Sequence, residues 1–239
     1  MVEKIKIFGI CGSPIKGGNT EILLKEALKG AEEIGNVETD YVSVADHPVK
    51  DCTHCNWCVV KQSEGKYCSI TDDGMKYIYP KVLEADGILI ATPVYISRMS
   101  GYLANVIDRM RALAHGCYYH MALKRKPAGA LAVVWYRNSG AETACLSIIG
   151  GFLTYEMIPV GVGLAGMWGA VGLSSIHGTG EFDPNDKHQV LKDHYGLRAA
   201  RTLGKDVATL ARIIKVGQQQ IGIKIEYGKR KKEQGLSHP

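Results

Sequence analysis

Residues 4–10 read Lys4-Ile5-Lys6-Ile7-Phe8-Gly9-Ile10, and the chain continues Cys11-Gly12-Ser13-Pro14-Ile15-Lys16-Gly17-Gly18-Asn19-Thr20-Glu21. The first run alternates and then turns continuously apolar, the pattern of a buried strand. The second has no periodicity and three glycines, so it is a loop. Asn19 or Thr20 can cap a following helix, with Glu21 in its first turn where the helix dipole favours an anion. Ile22, Leu23, Ala27, Leu28, Ala31 and Ile34 then recur at helical spacing, and Gly35 supplies a stop. Val37 to Val44 is the next strand. A strand–loop–helix–strand unit is thus complete in under fifty residues.

The same alternation runs outward along the chain. A cysteine-bearing segment, 51–68, interrupts it. A helix is predicted from Asp72 or Asp73 to about Glu84, and a strand over Gly87–Ala91 that leads into Thr92-Pro93-Val94-Tyr95. Tyr102 to Leu113 reads as helix and Ala128 to Trp135 as strand. Tyr136 to Gly140 is loop, 141–155 helix, Met157 to Leu164 strand, and Lys187 to about Val216 helix. Strands without a polar face, alternating with helices, form a parallel sheet covered on both sides. The reading is an α/β, flavodoxin-like fold: a five-stranded parallel sheet in the order 2-1-3-4-5, helices on both faces, and an inserted cysteine loop. Residues 1–220 form this domain and 221–239 a basic tail.

Composition agrees. With 46% apolar and 22% charged residues, the 239-residue chain has ample material for a core, which excludes disorder as its main state. The formal charge is +5, but Lys224, Lys229, Arg230, Lys231 and Lys232 face only two acids beyond Ile221, so the body is close to neutral. A nucleic-acid binder would carry a basic face on its body; no nucleic-acid partner is expected. Met157 to Leu173 carries no charge, but it holds Pro159 and five glycines and is too short for a membrane span. It is expected to be a buried strand and glycine loop, and no membrane partner is expected. Seven cysteines and no secretory signal at the start point to a reducing, cytoplasmic compartment.

In an open parallel sheet a ligand lies beyond the carboxyl ends of the strands, at the switch in strand order. Those ends are the loops 12–20, 93–101 and 136–140. The first leads into a helix N-terminus, where free N–H groups and the dipole attract an anion. Ser13, Asn19 and Thr20 add donors and Lys16 adds positive charge. The loop is neither a Walker A nor a G-x-G-x-x-G motif, and a terminal monoester phosphate, as on FMN, suits it better than a pyrophosphate. Pro93, Val94, Tyr95, Ile96 and Ser97 are expected along the bound ring, with Tyr136, Arg137 and Gly140 at the third loop.

Cys52, Cys55 and Cys58 are spaced so that three thiolates can face one centre, and Cys68 follows after nine residues, including Gly65. That gap lets the chain return to the same centre, unlike the bacterial ferredoxin run, whose fourth cysteine serves another cluster. Four thiolates suit a [4Fe–4S] centre. Structural zinc, which usually takes two separated knuckles, and a loop without metal are the other readings. Trp57 could shield such a centre from water. Cys11, Cys117 and Cys145 stand apart and read as structural.

Gly12-Ser13-Pro14, Gly18-Asn19-Thr20, the compact cysteine motif, Thr71-Asp72-Asp73, Glu84-Ala85-Asp86-Gly87, Thr92-Pro93-Val94-Tyr95, Gly101 and Ile107-Asp108-Arg109 together resemble the iron–sulfur flavoproteins, a branch of the NADPH-dependent FMN reductase group. The likeness is dense over 4–114 and collinear to about 216. The resemblance implies FMN held by the loops at 12–20, 93–97 and 136–140, and a [4Fe–4S] cluster on Cys52, Cys55, Cys58 and Cys68. The gap before Cys68 is longer than the family's usual one. It also implies a homo-oligomer, dimer or tetramer, in which one subunit's cluster approaches another's flavin, and a redox partner such as ferredoxin or NAD(P)H. The function expected is an oxidoreductase that couples one-electron and two-electron steps, the cofactors doing the chemistry and no side chain acting as catalyst. A plain NAD(P)H-dependent FMN or quinone reductase with a structural cysteine loop, and a non-catalytic metal-binding module, are the alternatives.

Overall fold

The computed structural model describes residues 3–222. The basic tail expected at 221–239 therefore lies almost wholly outside the described residues. Among the described residues, seven strands and six α-helices follow in chain order: β1 (Ile5–Cys11), α1 (Asn19–Glu32), β2 (Val37–Ser43), α2 (Trp57–Val60), α3 (Met75–Glu84), β3 (Gly87–Tyr95), β4 (Arg98–Met99), α4 (Gly101–Ala114), β5 (Pro127–Val134), α5 (Ala141–Thr154), β6 (Ile158–Val160), β7 (Ala170–Leu173) and α6 (His194–Ile221).

The parallel sheet runs β2-β1-β3-β5-β6, which is the expected 2-1-3-4-5 once the short β4 is set aside. Its central strands are buried because both faces are covered: every residue of β5 is buried, as are the first seven of β3. On one face α1 and α6 pack over Ile5, Ile7, Leu89, Leu131 and Val133. On the other α3, α4 and α5 pack over Phe8, Ile10, Ile88, Ile90 and Ala130. The backbones of α1 and α6 come very close: a Cβ at Gly204 would run into the Ala27 carbonyl, and one at Gly30 into that of Arg201.

The last helix begins later than expected, at His194 rather than Lys187, and three further differences from the sequence reading bear on the sheet and the site. The fifth strand is not continuous over Met157–Leu164. β6 pairs with the start of β5 (Pro127↔Ile158 to Gly129↔Val160), and β7 pairs with its end (Leu131↔Ala170 to Val134↔Leu173). The glycine-rich excursion between them folds on itself, Val162 and Gly169 both donating N–H to the Gly166 carbonyl. Its tip is not buried as expected: Leu164 and Met167 are exposed. Second, β4 turns back antiparallel on β3 through Ile96-Ser97, pairing Tyr95↔Arg98. Third, α3 starts at Met75; Asp73 precedes it and accepts the Met75 N–H at 3.1 Å. Among the described residues no helix is long and apolar enough to cross a membrane.

Candidate functional site

Gly12 follows the end of β1, and its N–H donates to the Ala91 carbonyl of β3 (2.8 Å), seating the first loop over the switch between the two strands. Ser100 fixes it from the other side. Its Oγ donates to the Gly12 carbonyl (2.6 Å) and accepts the Leu103 N–H (3.1 Å), so one hydroxyl both holds the loop and caps α4. At the far end, the cap position of α1 is Gly18, which offers no side-chain acceptor. Neither Asn19 nor Thr20 serves as the expected cap, for α1 already begins at Asn19. The consequence is chemical: first-turn N–H groups have no acceptor within a helix, and here no side chain of the cap residue takes them. That is the arrangement an anion requires.

A cleft of ≈ 560 Å³ opens beside this turn, within the range of cofactor sites. Seven of the expected residues line it together: Ser13, Lys16, Asn19, Thr20, Pro93, Val94 and Tyr95. Ser13 and Thr20 are almost fully buried, each 3% exposed. The Ser13 Oγ accepts the Ile15 N–H at 3.1 Å, which leaves its O–H for a ligand. The exposed Lys16 ammonium pairs with Asp46 at 2.5 Å. Asn19 is committed elsewhere: its amide donates to the Lys187 carbonyl (2.8 Å) and accepts the Val190 N–H (3.0 Å). It holds a wall of the cleft rather than reaching into it freely.

Ile96, Ser97, Tyr136, Arg137 and Gly140 do not line the cleft. Ile96 and Ser97 form the tight turn at its rim, both with positive φ (48° and 59°), a conformation costly for a β-branched residue. Gly140, at φ 94°, lies against that turn; a Cβ there would stand 2.6 Å from the Ser97 Cα. Arg137 binds the turn at 176–178 by its N–H to the Gly178 carbonyl (2.9 Å) and its guanidinium to that of His177 (3.0 Å). The loops after β3 and β5 are therefore neighbours, as expected, but the second acts as a brace. The wall that sequence reasoning missed is Trp135, Ser174, Phe182, Asp183, Asp186, Lys187, His188 and Gln189. Phe182 to Gln189 carry no periodic pattern, and the Asn19 clamp, across 168 residues or more, holds that segment to the first loop at Lys187 and Val190, while Ser174 is placed by its N–H on the Val134 carbonyl (2.9 Å).

A second, much smaller cavity of ≈ 20 Å³ is lined by Cys52, Cys55, Cys58 and Cys68, with Arg109 and Arg111 beside them. The local geometry follows from the sequence. His54 and Asn56 adopt left-handed φ (51° and 56°), curling the C-x₂-C-x₂-C run, and the short α2 carries Cys58 inward. The nine residues before Cys68 are taken up by the end of α2 and a turn bridged between Ser63 and Lys66. Gln62 secures that return: its amide N–H groups donate to the carbonyls of Tyr67 (3.0 Å) and Ala112 (2.9 Å), and its oxygen accepts from the N–H of Tyr118 and Tyr119. Nothing in the local pattern marked Gln62 for this role.

The thiols differ in environment. Burial pushes the Cys58 thiol up, opposed by the Arg111 guanidinium, while Cys68 and Cys52 lie near enough to push it up further. Cys55, exposed, is held below the usual thiol range by the Ser69 hydroxyl 3.2 Å away and the Trp57 N–H, despite slight opposition from burial. Among the described residues no three of His, Cys, Asp or Glu crowd closely enough to hold one metal ion; the four thiols stand around a shared space instead. Four sulfur donors with two guanidinium groups alongside fit a thiolate-held centre of net negative charge. His54 and Trp57 do not line the cavity; Trp57 packs partly buried on the core. Cys117 lies outside it, its Sγ on the Gln62 carbonyl (3.5 Å). Cys11 and Cys145 are buried, their thiols pushed up to about 11 and about 12 by desolvation.

Fold and cleft define a flavodoxin-like domain with an uncapped helix N-terminus on a cleft at its sheet switch point, and with a separate pocket lined by four cysteines. The NADPH-dependent FMN reductase family model matches residues 5–166. An iron–sulfur flavoprotein of Methanocaldococcus jannaschii is 38% identical over 212 residues, 88% of this chain and 100% of that protein. Another from Methanosarcina thermophila is 39% identical over 157 residues, 66% of this chain and 78% of that one. The chain belongs to the iron–sulfur flavoproteins, within the NADPH-dependent FMN reductase family. Among solved structures, RosB with a bound riboflavin-phosphate intermediate superposes with a TM-score of 0.67 at 15% identity, over 98% of this chain and 94% of that one, which shows a shared fold.

Proposed function

We propose that this protein is an electron-transfer flavoprotein holding FMN in the 560 Å³ cleft and a [4Fe–4S] centre on Cys52, Cys55, Cys58 and Cys68. The observation that carries the reading is the gathering of all four cysteines around one cavity, on the domain that also presents an uncapped helix N-terminus to a cleft. The names of the relatives support the same cofactor pair. When bound, flavin exchanges electrons in ones or twos and an iron–sulfur centre in ones, so the pair can couple the two modes. The chain's own task is binding and control. The first turn of α1, Ser13 and Thr20 take the phosphate; Pro93, Val94 and Tyr95 lie along the ring; the 182–189 wall limits water. The setting is a reducing, cytoplasmic one, with ferredoxin or NAD(P)H as donor class.

Anaerobic purification tests this directly. Iron and acid-labile sulfide near four each per chain are expected with bound flavin. Yellow protein with flavin and no iron would mean a plain FMN or quinone reductase instead. Thr20→Ala is expected to weaken FMN binding by about 1–3 kcal/mol, because the buried hydroxyl would otherwise make a charge-assisted bond. Flavin titration of the apoprotein measures it, and an unchanged dissociation constant would move the phosphate elsewhere.

The protein is further read as a homo-oligomer, a dimer or tetramer, in which the 52–68 segment of one subunit faces the Pro93 and Tyr136 loops of another. The support is apolar surface near that rim: Ile96 is 93% exposed, and Trp135, Tyr136 and Phe182 are also exposed. Sedimentation at micromolar concentration is expected to show at least a dimer. A monomer passing electrons from cluster to flavin at full rate would rule this assembly out.

A further inference from the structure

Arg109, on α4, is a fully buried arginine with an acidic partner: its side chain and that of Asp73 are 1% and 2% exposed, and NH1 meets the Asp73 carboxylate at 2.6 Å. The same guanidinium donates to the Lys50 carbonyl (3.0 Å) from NH1 and to the Ile70 carbonyl (3.1 Å) from NH2. Lys50 and Ile70 flank the cysteine segment on either side. Asp73 completes the clasp by accepting the Lys50 N–H at 3.0 Å. From below, the Tyr79 hydroxyl donates to the Arg109 carbonyl at 2.8 Å, tying α3 to the same point. One guanidinium thus closes the loop that carries all four cysteines and fastens it to a helix of the flavin-binding domain.

One donor is left over. Arg109 Nε is buried and has no partner among the described residues. Buried N–H groups are nearly always paired, so an orphan calls for an acceptor. The residue lines the cysteine cavity, and the Cys68 sulfur lies close enough to act electrostatically on it. Arg111 shares the cavity in a different way, with NH1 3.9 Å from the Cys58 Sγ and NH2 on the Asn56 side chain.

We propose that Arg109 is the positioning residue of the centre held by Cys52, Cys55, Cys58 and Cys68: with Asp73 it clasps both ends of the cysteine segment, and its Nε–H donates to sulfur of that centre. The proposal rests on the reading of these cysteines as the ligand set. Net charge and hydrogen bonds to sulfur set the potential of an iron–sulfur centre. A fixed cation and donor favour the state carrying the extra electron, so the residue makes the centre easier to reduce.

The test compares redox titrations, followed by electron paramagnetic resonance, of wild type, Arg109→Gln, Arg109→Lys and Lys81→Gln at matched iron content. In Arg109→Gln the reduced-to-oxidised ratio at fixed potential is expected to fall at least tenfold, about 59 mV for one electron. Arg109→Lys, which keeps the charge and loses the fork, recovers part of it. Lys81→Gln, whose lysine pairs with Asp40 at the surface, leaves it unchanged. An unaltered ratio in Arg109→Gln overturns the proposal. If the Arg109 variants take up no iron, iron-free protein decides: in Asp73→Asn, amide hydrogen exchange across 51–69 is expected to rise at least tenfold with α6 unaffected, and unchanged exchange overturns the clasp. Wild type that binds neither iron nor sulfide removes the centre and the proposal with it, and that failure is recognisable because exchange in Asp73→Asn would still rise.

Discussion

Cys58→Ala is expected to destroy or convert the cluster, taking iron from about four per chain to about three or fewer, while Cys117→Ala keeps the full complement. The contrast is sharp because the two residues are neighbours: the Cys117 N–H donates to the Cys58 carbonyl at 2.9 Å. Yet only Cys58 lines the four-cysteine cavity. It is the buried member of the set, carried inward on α2, and it has a guanidinium beside it to stabilise a thiolate. Without it the proposed centre would lose one of its four protein ligands. The Cys117 thiol rests instead on the Gln62 carbonyl. Iron and sulfide analysis of both variants, purified without oxygen, settles the matter. Equal loss in the two would overturn the ligand assignment.

In iron-free protein, Arg109→Met is expected to lower stability by about 3–5 kcal/mol, the cost of leaving a buried charge without its partner. Asp73 would keep only the Lys50 and Met75 N–H groups, and the Lys50 and Ile70 carbonyls would lose their donor. Asp73→Leu should be similarly harmful. The double variant should be much less harmful than the two losses added, because no buried charge then remains unpaired. Urea unfolding of the four proteins measures this as a double-mutant cycle. Losses that add within about 0.5 kcal/mol would show that the two side chains are not energetically coupled.

The sheet was legible because its central strands are buried on both faces. Ile7–Ile10, GILIA and Ala128–Val134 have no polar side to present to water, so their composition announces their place. The fifth strand was not, because the chain there is short of side chains. Five glycines between Met157 and Leu173 weaken any periodicity, and the edge of β5 is completed by two segments separated in sequence, β6 along its start and β7 along its end. The β4 hairpin was missed for a similar reason: Ile96-Ser97 lacks the Asn-Gly or Gly residues that signal such a turn.

At the two sites the division is one of range. The residue types that bind, Ser13 and Thr20 before a helix and four cysteines at close spacing, are local patterns, and local patterns are written in consecutive residues. Their partners are not. Asn19 was read as a cap and phosphate donor, but its amide satisfies backbone groups of Lys187 and Val190 far along the chain. Arg109 was part of a family-like motif, yet its hold on Lys50, Ile70 and Asp73 exists only where α4 crosses the cysteine segment. Gln62, the Phe182–Gln189 wall and the brace at Arg137 are of the same kind. The sequence by itself determined the fold class and the two groups of binding residues, since burial of apolar runs and the spacing of donors act over a few residues. Tertiary structure alone decided which polar side chains remain available to a ligand, because a buried donor or acceptor takes whatever backbone group packing brings within reach.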